Sequence, residues 1–243
     1  MKRLLAVALA ALALALPASV SGGTPITVLA AASLTEVFPR IAASPHYSFA
    51  GSDQLALQIR QGAPADVYAA ASPKYTQLLH RDGFLLKPVV FATNKLIILV
   101  PKSNPANINT AYDLRGEGIK LVIGDRAVPI GAYTRQILDT LGITADVMKN
   151  VVSEETDVKS IVTKVALGEA DAGLVYRTDA SPVASHTKSI ALPDWAQPPI
   201  RYEVAAVKTS SHLVAARAFV KQVVSKRGRL LLGKAGFGLP KKK

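Results

Sequence analysis

The chain has 243 residues, 49% of them hydrophobic, with a formal net charge of +12 and no cysteine. This length allows one large domain or two smaller ones, each able to bury a core, and the apolar content excludes a disordered chain. The lack of cysteine excludes a disulfide scaffold, a thiolate metal site and a cysteine nucleophile.

The charge is unevenly placed. Residues 201–243 carry eleven basic side chains and one acidic one, Glu203, whereas residues 4–200 are neutral overall. A basic balance points to nucleic acid or another anion as partner, but here it is confined to the C-terminal end.

The chain opens with Lys2-Arg3, an apolar run from Leu4 to Leu16 and small residues through Gly23. This is the pattern of a secretory signal over residues 1–22, with cleavage near residues 21–23. The run is short for a membrane anchor. The expectation is an exported protein of a periplasm.

Strand-like and helix-like segments then alternate. Ile26–Ala31 reads as a strand and Leu34–Ala43 as a helix with apolar residues at 34, 37, 38 and 41. Tyr47–Ala50 is a strand, Gln54–Gln61 a helix, Asp66–Ala70 a strand and Lys74–Arg81 a helix. Leu96–Val100 is a continuous apolar run, as in a buried strand. Leu121–Ile123, Val151–Val152, Ala172–Val175 and Glu203–Val207 read as further strands. Helices are expected at Gly131–Leu141, Val158–Leu167, Ser211–Ser225 and Gly228–Leu232. Such alternation predicts an α/β fold with mostly parallel sheets flanked by helices. Ligands of such sheets bind beyond the strand ends, where helices begin.

Four junctions fit that position. Ser33 and Ser52 stand where helix N-caps belong, Pro129 sits at a favoured helix entry, and Val158 follows Glu155-Thr156-Asp157. Free backbone N–H groups and the helix dipole draw anions to such starts. Each junction singly is an ordinary capped helix, and spacing alone does not bring the four together.

Taken together, the segments resemble the periplasmic molybdate-binding proteins of ABC importers. The resemblance rests on Ala31-Ala32-Ser33-Leu34-Thr35, Phe49-Ala50-Gly51-Ser52 and Gln58-Ile59-Arg60-Gln61-Gly62-Ala63-Pro64-Ala65-Asp66-Val67. It continues through Gly124-Asp125, Ala127-Val128-Pro129-Ile130-Gly131 and Gly168-Glu169-Ala170-Asp171-Ala172-Gly173-Leu174-Val175-Tyr176. It implies a two-lobed periplasmic binding protein fold whose lobes are joined by two crossover strands. Lobe I would comprise residues 24–91 plus 204–243, and lobe II residues 92–203. Molybdate or tungstate would bind in the cleft between them. Ser33 and Ser52 would donate from the first lobe, and the Ile130 and Val158 backbones and the Tyr176 hydroxyl from the second. The family often has a small hydroxyl residue after the second serine. This chain has Asp53, whose carboxylate the resemblance requires to turn away from a dianion.

The resemblance implies binding and delivery to a membrane permease by a monomer, with no cofactor, no free metal cation and no nucleic acid. A protein for sulfate or phosphate is the alternative within the same fold. An enzyme is the alternative of a different class. His46, His80, His186 and His212 are scattered without metal spacing, and no nucleophile elbow, phosphate loop or dinucleotide fingerprint occurs.

Overall fold

The computed structural model describes residues 25–240. The expected signal segment, residues 1–22, lies outside the described residues. Among the described residues, ten strands and nine α-helices follow one another, with short 3-10 turns between some of them. They begin with β1 (Thr27–Ala31), α1 (Phe38–Ile41), β2 (His46–Ala50), α2 (Ser52–Arg60), β3 (Val67–Ala70), α3 (Pro73–Arg81) and β4 (Val89–Thr93). Next come β5 (Leu96–Pro101), β6 (Leu121–Gly124), α4 (Pro129–Leu141), α5 (Thr144–Val147), β7 (Val151–Glu155), α6 (Val158–Ala166) and β8 (Ala172–Tyr176). The chain finishes with α7 (Arg177–Ala180), β9 (Thr187–Ala191), β10 (Arg201–Ala206), α8 (Leu213–Val224) and α9 (Lys226–Lys234).

The strands form two five-stranded sheets, ordered β2-β1-β3-β10-β4 and β7-β6-β8-β5-β9. In the first, β1 pairs in parallel with β2 and β3, and β10 runs antiparallel to β3 and β4. In the second, β6 pairs in parallel with β7 and β8, and β5 runs antiparallel to β8 and β9. Each sheet therefore has four strands in one direction and one reversed. The pairings are evenly mixed where mostly parallel sheets were expected, because the reversed strands β5 and β10 sit inside their sheets. The chain passes between the sheets twice, from β4 to β5 through Asn94-Lys95 and from β9 to β10 through residues 192–200.

Apolar spacing explains most of the elements. In α6, Val158, Ile161, Val162 and Val165 are buried at i, i+3, i+4 and i+7. In α2 the buried face is Leu55, Ala56 and Ile59, with Asp53 in the first turn and Arg60 in the last, complementing the dipole. Strand β8, between β6 and β5, is buried at every position, as a strand covered on both faces must be.

One expected helix differs. Leu34, Val37, Phe38 and Ile41 are all buried as the spacing requires, but the segment forms a 3-10 turn at Ala32–Leu34 and only four α-helical residues. Pro39 lacks the N–H that a continuing helix needs, so it fits only at the start of α1. Strands β4 and β9 were not anticipated. The second is a polar edge strand, Thr187-Lys188-Ser189-Ile190-Ala191, with little hydrophobic signal.

The larger core cluster is continuous across both sheets, and a smaller one lies under α2 and α3. Between the sheets, a chain of rings runs Phe38, Phe91, Tyr202 and Tyr176, with centroids 5.7, 6.0 and 5.8 Å apart in turn.

Candidate functional site

One small cavity is lined by residues from both sheets. From the first come Ala31–Ser33, Ala50–Ser52 and Ala71; from the second, Val128–Ile130, Asp157, Val158 and Tyr176. All five residues singled out in the sequence, Ser33, Ser52, Ile130, Val158 and Tyr176, line it together. A larger open groove around Tyr112 and Asn150 shares no lining residue with it.

The walls come from strand ends and helix starts. Ser33 is buried in the 3-10 turn after β1, so it does not cap a helix as expected. The short turn that Pro39 permits leaves it inside the turn. Ser52 is the first residue of α2, with Gly51 in the cap position at an extended ψ of 136°. The helix thus begins one residue earlier than the side-chain pattern suggested. Val128 caps α4, followed by Pro129 and Ile130 at its first two positions. Asp157 caps α6, accepting from the N–H groups of Lys159 at 2.7 Å and Ser160 at 3.1 Å. The first-turn N–H groups of α2, α4 and α6 have no partner within their own helices, and the helices run nine, thirteen and nine residues.

The hydroxyls are held from behind. The Ala71 N–H donates to Ser52 Oγ at 3.1 Å, and Tyr68 Oη donates to the Ser52 carbonyl at 2.6 Å. Ser33 Oγ lies 2.9 Å from Tyr202 Oη. Asn94 Nδ2, on the crossing between sheets, donates to Tyr202 Oη at 3.4 Å and to Thr178 Oγ1 at 3.0 Å. Tyr176 Oη is buried with no hydrogen-bond partner. A buried hydroxyl without a partner costs about 1–3 kcal/mol, so a missing polar partner is expected there. Burial pushes the phenols of Tyr176 and Tyr202 well above their ordinary range, and both stay protonated donors.

Electrostatically the cavity is nearly bare. Asp157 is the one charged residue among its lining residues, and its carboxylate faces the N–H groups of its own helix. The Lys159 ammonium lies 3.3 Å from Asp179 and 3.8 Å from Glu36. Asp179 is fully buried, and burial pushes its carboxyl up to about 6 against the opposing pull of Lys159. Asp53 does not line the cavity. Its Oδ1 is buried without a partner, and desolvation raises its carboxyl, with Asp125 adding to the rise.

The halves touch around the cavity. Tyr75 Oη on α3 donates to the Ala127 carbonyl ahead of α4. A Cβ on Gly51 would come 2.4 Å from the Thr156 carbonyl oxygen, so only glycine allows the chains to approach this closely. Tyr202, Asn94 and the Ala71 amide were not foreseen. Tyr202 is distant in sequence from every other part of the site, and an amide donor leaves no side-chain signature. Asp157 stood in the junction that drew attention to Val158, where its capping role follows the ordinary preference for Asp.

Comparison with known proteins gives a consistent result. The family described as bacterial extracellular solute-binding protein matches residues 26–238. The molybdate-binding protein ModA of Mycobacterium tuberculosis is 38% identical over 229 residues, covering 90% of this chain and 86% of that one. The molybdate-binding protein ModA of Haemophilus influenzae is 31% identical over 256 residues, covering 98% and 99%. The solved periplasmic molybdate-binding protein of Azotobacter vinelandii superposes with a TM-score of 0.80 at 22% identity, over 89% of this chain and all of that one.

Proposed function

This chain belongs to the bacterial extracellular solute-binding protein family, and we propose that within it the chain captures molybdate and delivers it to an ABC permease. It is a solute-binding protein and not an enzyme. The observation that carries the choice of ligand class is the convergence of three helix starts and three hydroxyls on one cavity without a cation. The names of the mycobacterial and Haemophilus relatives supply molybdate as the member of that class.

The site residues have distinct roles in this reading. Asn94 donates to Tyr202, and once Tyr202 turns its own proton to Ser33, 2.9 Å away, the Ser33 proton is left for the ligand. Ser52 accepts from Ala71, which leaves its proton free as well. Tyr176 supplies a third hydroxyl from the second sheet. Ile130 and Val158 supply main-chain N–H groups, so their side chains serve only packing. Each bond to a charged oxygen is stronger than its neutral counterpart. Together they must offset several kcal/mol of desolvation, the order expected for a buried ion.

Tungstate, with the same charge and tetrahedral shape, would bind as well. Sulfate carries that charge on a smaller ion and would be rejected by donors fixed too far apart. The lobes would be residues 24–91 plus 204–243 and residues 92–203, with closure bringing the two donor sets onto the ion and presenting the closed form to the permease. The protein would act as a monomer in the periplasm after loss of residues 1–22, without nucleic acid or cofactor.

Calorimetric titration of the mature chain with molybdate, tungstate, sulfate and phosphate tests this. Tight binding of the first two with no heat from sulfate is expected. Equal binding of sulfate would overturn the selectivity, and silence with all four would overturn the function.

A further inference from the structure

The positive excess lies away from this cavity, and it has its own structure. Helix α9 follows α8 after a single residue, Ser225, whose hydroxyl accepts from the Gly228 N–H at 3.1 Å. A Cβ on Gly228 would lie 2.3 Å from the Val223 carbonyl oxygen, so the corner is tightly packed and the orientation of α9 is fixed. Leu232 packs inward, fully buried. On the other side, Leu230 is 57% exposed and Leu239, just beyond the helix, is 39% exposed. A shallow open groove joins these two leucines, bordered by Lys226, Arg227, Arg229 and Lys234. Among the described residues, none of the four cations pairs with a carboxylate. The sole acidic residue of 201–243, Glu203, is buried elsewhere, on β10, and the sequence continues beyond Pro240 with three more lysines.

We propose that this face of α9 docks on an anionic phospholipid surface. Three exposed cations, Lys226, Arg227 and Lys234, beside the half-buried Arg229 that donates to the Pro240 carbonyl, surround two exposed leucines and match the two demands of a membrane interface at once. Long basic side chains reach lipid phosphates while apolar tips enter the acyl boundary. A soluble polyanion would satisfy the cations but leave the leucines without a partner. Docking here would hold the protein at the membrane that carries its transporter. The inference rests on the C-terminal surface alone and stands whichever anion the cavity takes.

The test is co-sedimentation of the mature chain with phosphatidylglycerol–phosphatidylcholine vesicles, with pure phosphatidylcholine vesicles and soluble polyglutamate as the other arms. Binding to the anionic vesicles that fades with added salt is expected. The variant Lys226→Glu/Arg227→Glu/Lys234→Glu should weaken that binding by roughly a hundredfold or more, at about a factor of five per charge removed. Leu230→Ser/Leu239→Ser, with every charge kept, should weaken vesicle binding about tenfold while leaving polyglutamate binding unchanged. Circular dichroism and urea denaturation check that both variants remain folded. Equal binding to the two vesicle types would overturn the proposal. So would binding to polyglutamate but not vesicles, or a leucine variant that sediments like the parent.

Discussion

The cavity and the α9 face both suit anions, and they do so by opposite means. The cavity gathers neutral hydroxyls and helix-start N–H groups, with the sole lining carboxylate turned into its own helix. The α9 face presents three exposed cations, Lys226, Arg227 and Lys234, none of them in an ion pair among the described residues. Buried neutral donors recognise shape and distance and are shielded from salt. Exposed cations act at range and are screened within about 10 Å at ordinary ionic strength. A net charge of +12 therefore says nothing about the selective site. Selectivity among dianions needs fixed donors, which a flexible lysine does not provide.

The contrast can be broken most severely on the cavity side. Ser33→Ala combined with Ser52→Ala should weaken molybdate binding by roughly a hundred- to ten-thousandfold, since each lost bond to a charged ligand is worth about 1.5–3 kcal/mol. Titration calorimetry reads this, and vesicle binding should not change. Next is Asp179, a buried carboxyl behind the cavity whose folded value is pushed from 3.8 up to about 6. Its contribution to stability is fully present below the unfolded value and is lost as pH rises through the folded one, because the unfolded chain ionises first. Asp179→Asn should therefore raise stability at pH 8 by up to about 3 kcal/mol and leave it nearly unchanged at pH 4. Urea denaturation at the two values measures it.

Smaller effects sharpen the division between side-chain and main-chain donors. Tyr176→Phe removes one hydroxyl that has no other partner and should cost about tenfold in affinity. Ile130→Val and Val158→Ile keep the amide donors and should each change affinity less than about threefold, because the main-chain N–H and not the side chain meets the ion. A large loss from either would mean that the side chain, rather than the N–H, touches the ion.

Much of this arrangement was legible in the sequence. Alternating strand and helix patterns, together with small residues at strand ends, located the junctions at Ser33, Ser52, Pro129 and Val158 and the α/β class, whereas Tyr176 came from the motif resemblance alone. The motif resemblance, rather than spacing, brought the five together, because residues 33, 52, 130, 158 and 176 are linked only by tertiary folding. The details that failed are those that local pattern does not encode. Pro39 shortened the first helix, and Gly51 took the cap that Ser52 was expected to hold. The Asn94–Tyr202–Ser33 relay spans residues 108 and 169 positions apart. Mixed pairing within the sheets follows from the two crossings, which return β5 and β10 in the reverse direction inside their sheets.

The most direct measurement is a crystal structure of the mature chain grown with molybdate, with anomalous scattering collected at the molybdenum edge. The account predicts one molybdenum peak in this cavity. Its oxygens should lie about 3 Å from the hydroxyls of Ser33, Ser52 and Tyr176 and from the amides of Ile130 and Val158, with no lysine or arginine in contact. A peak elsewhere, or an ion held by a cationic side chain, would contradict it.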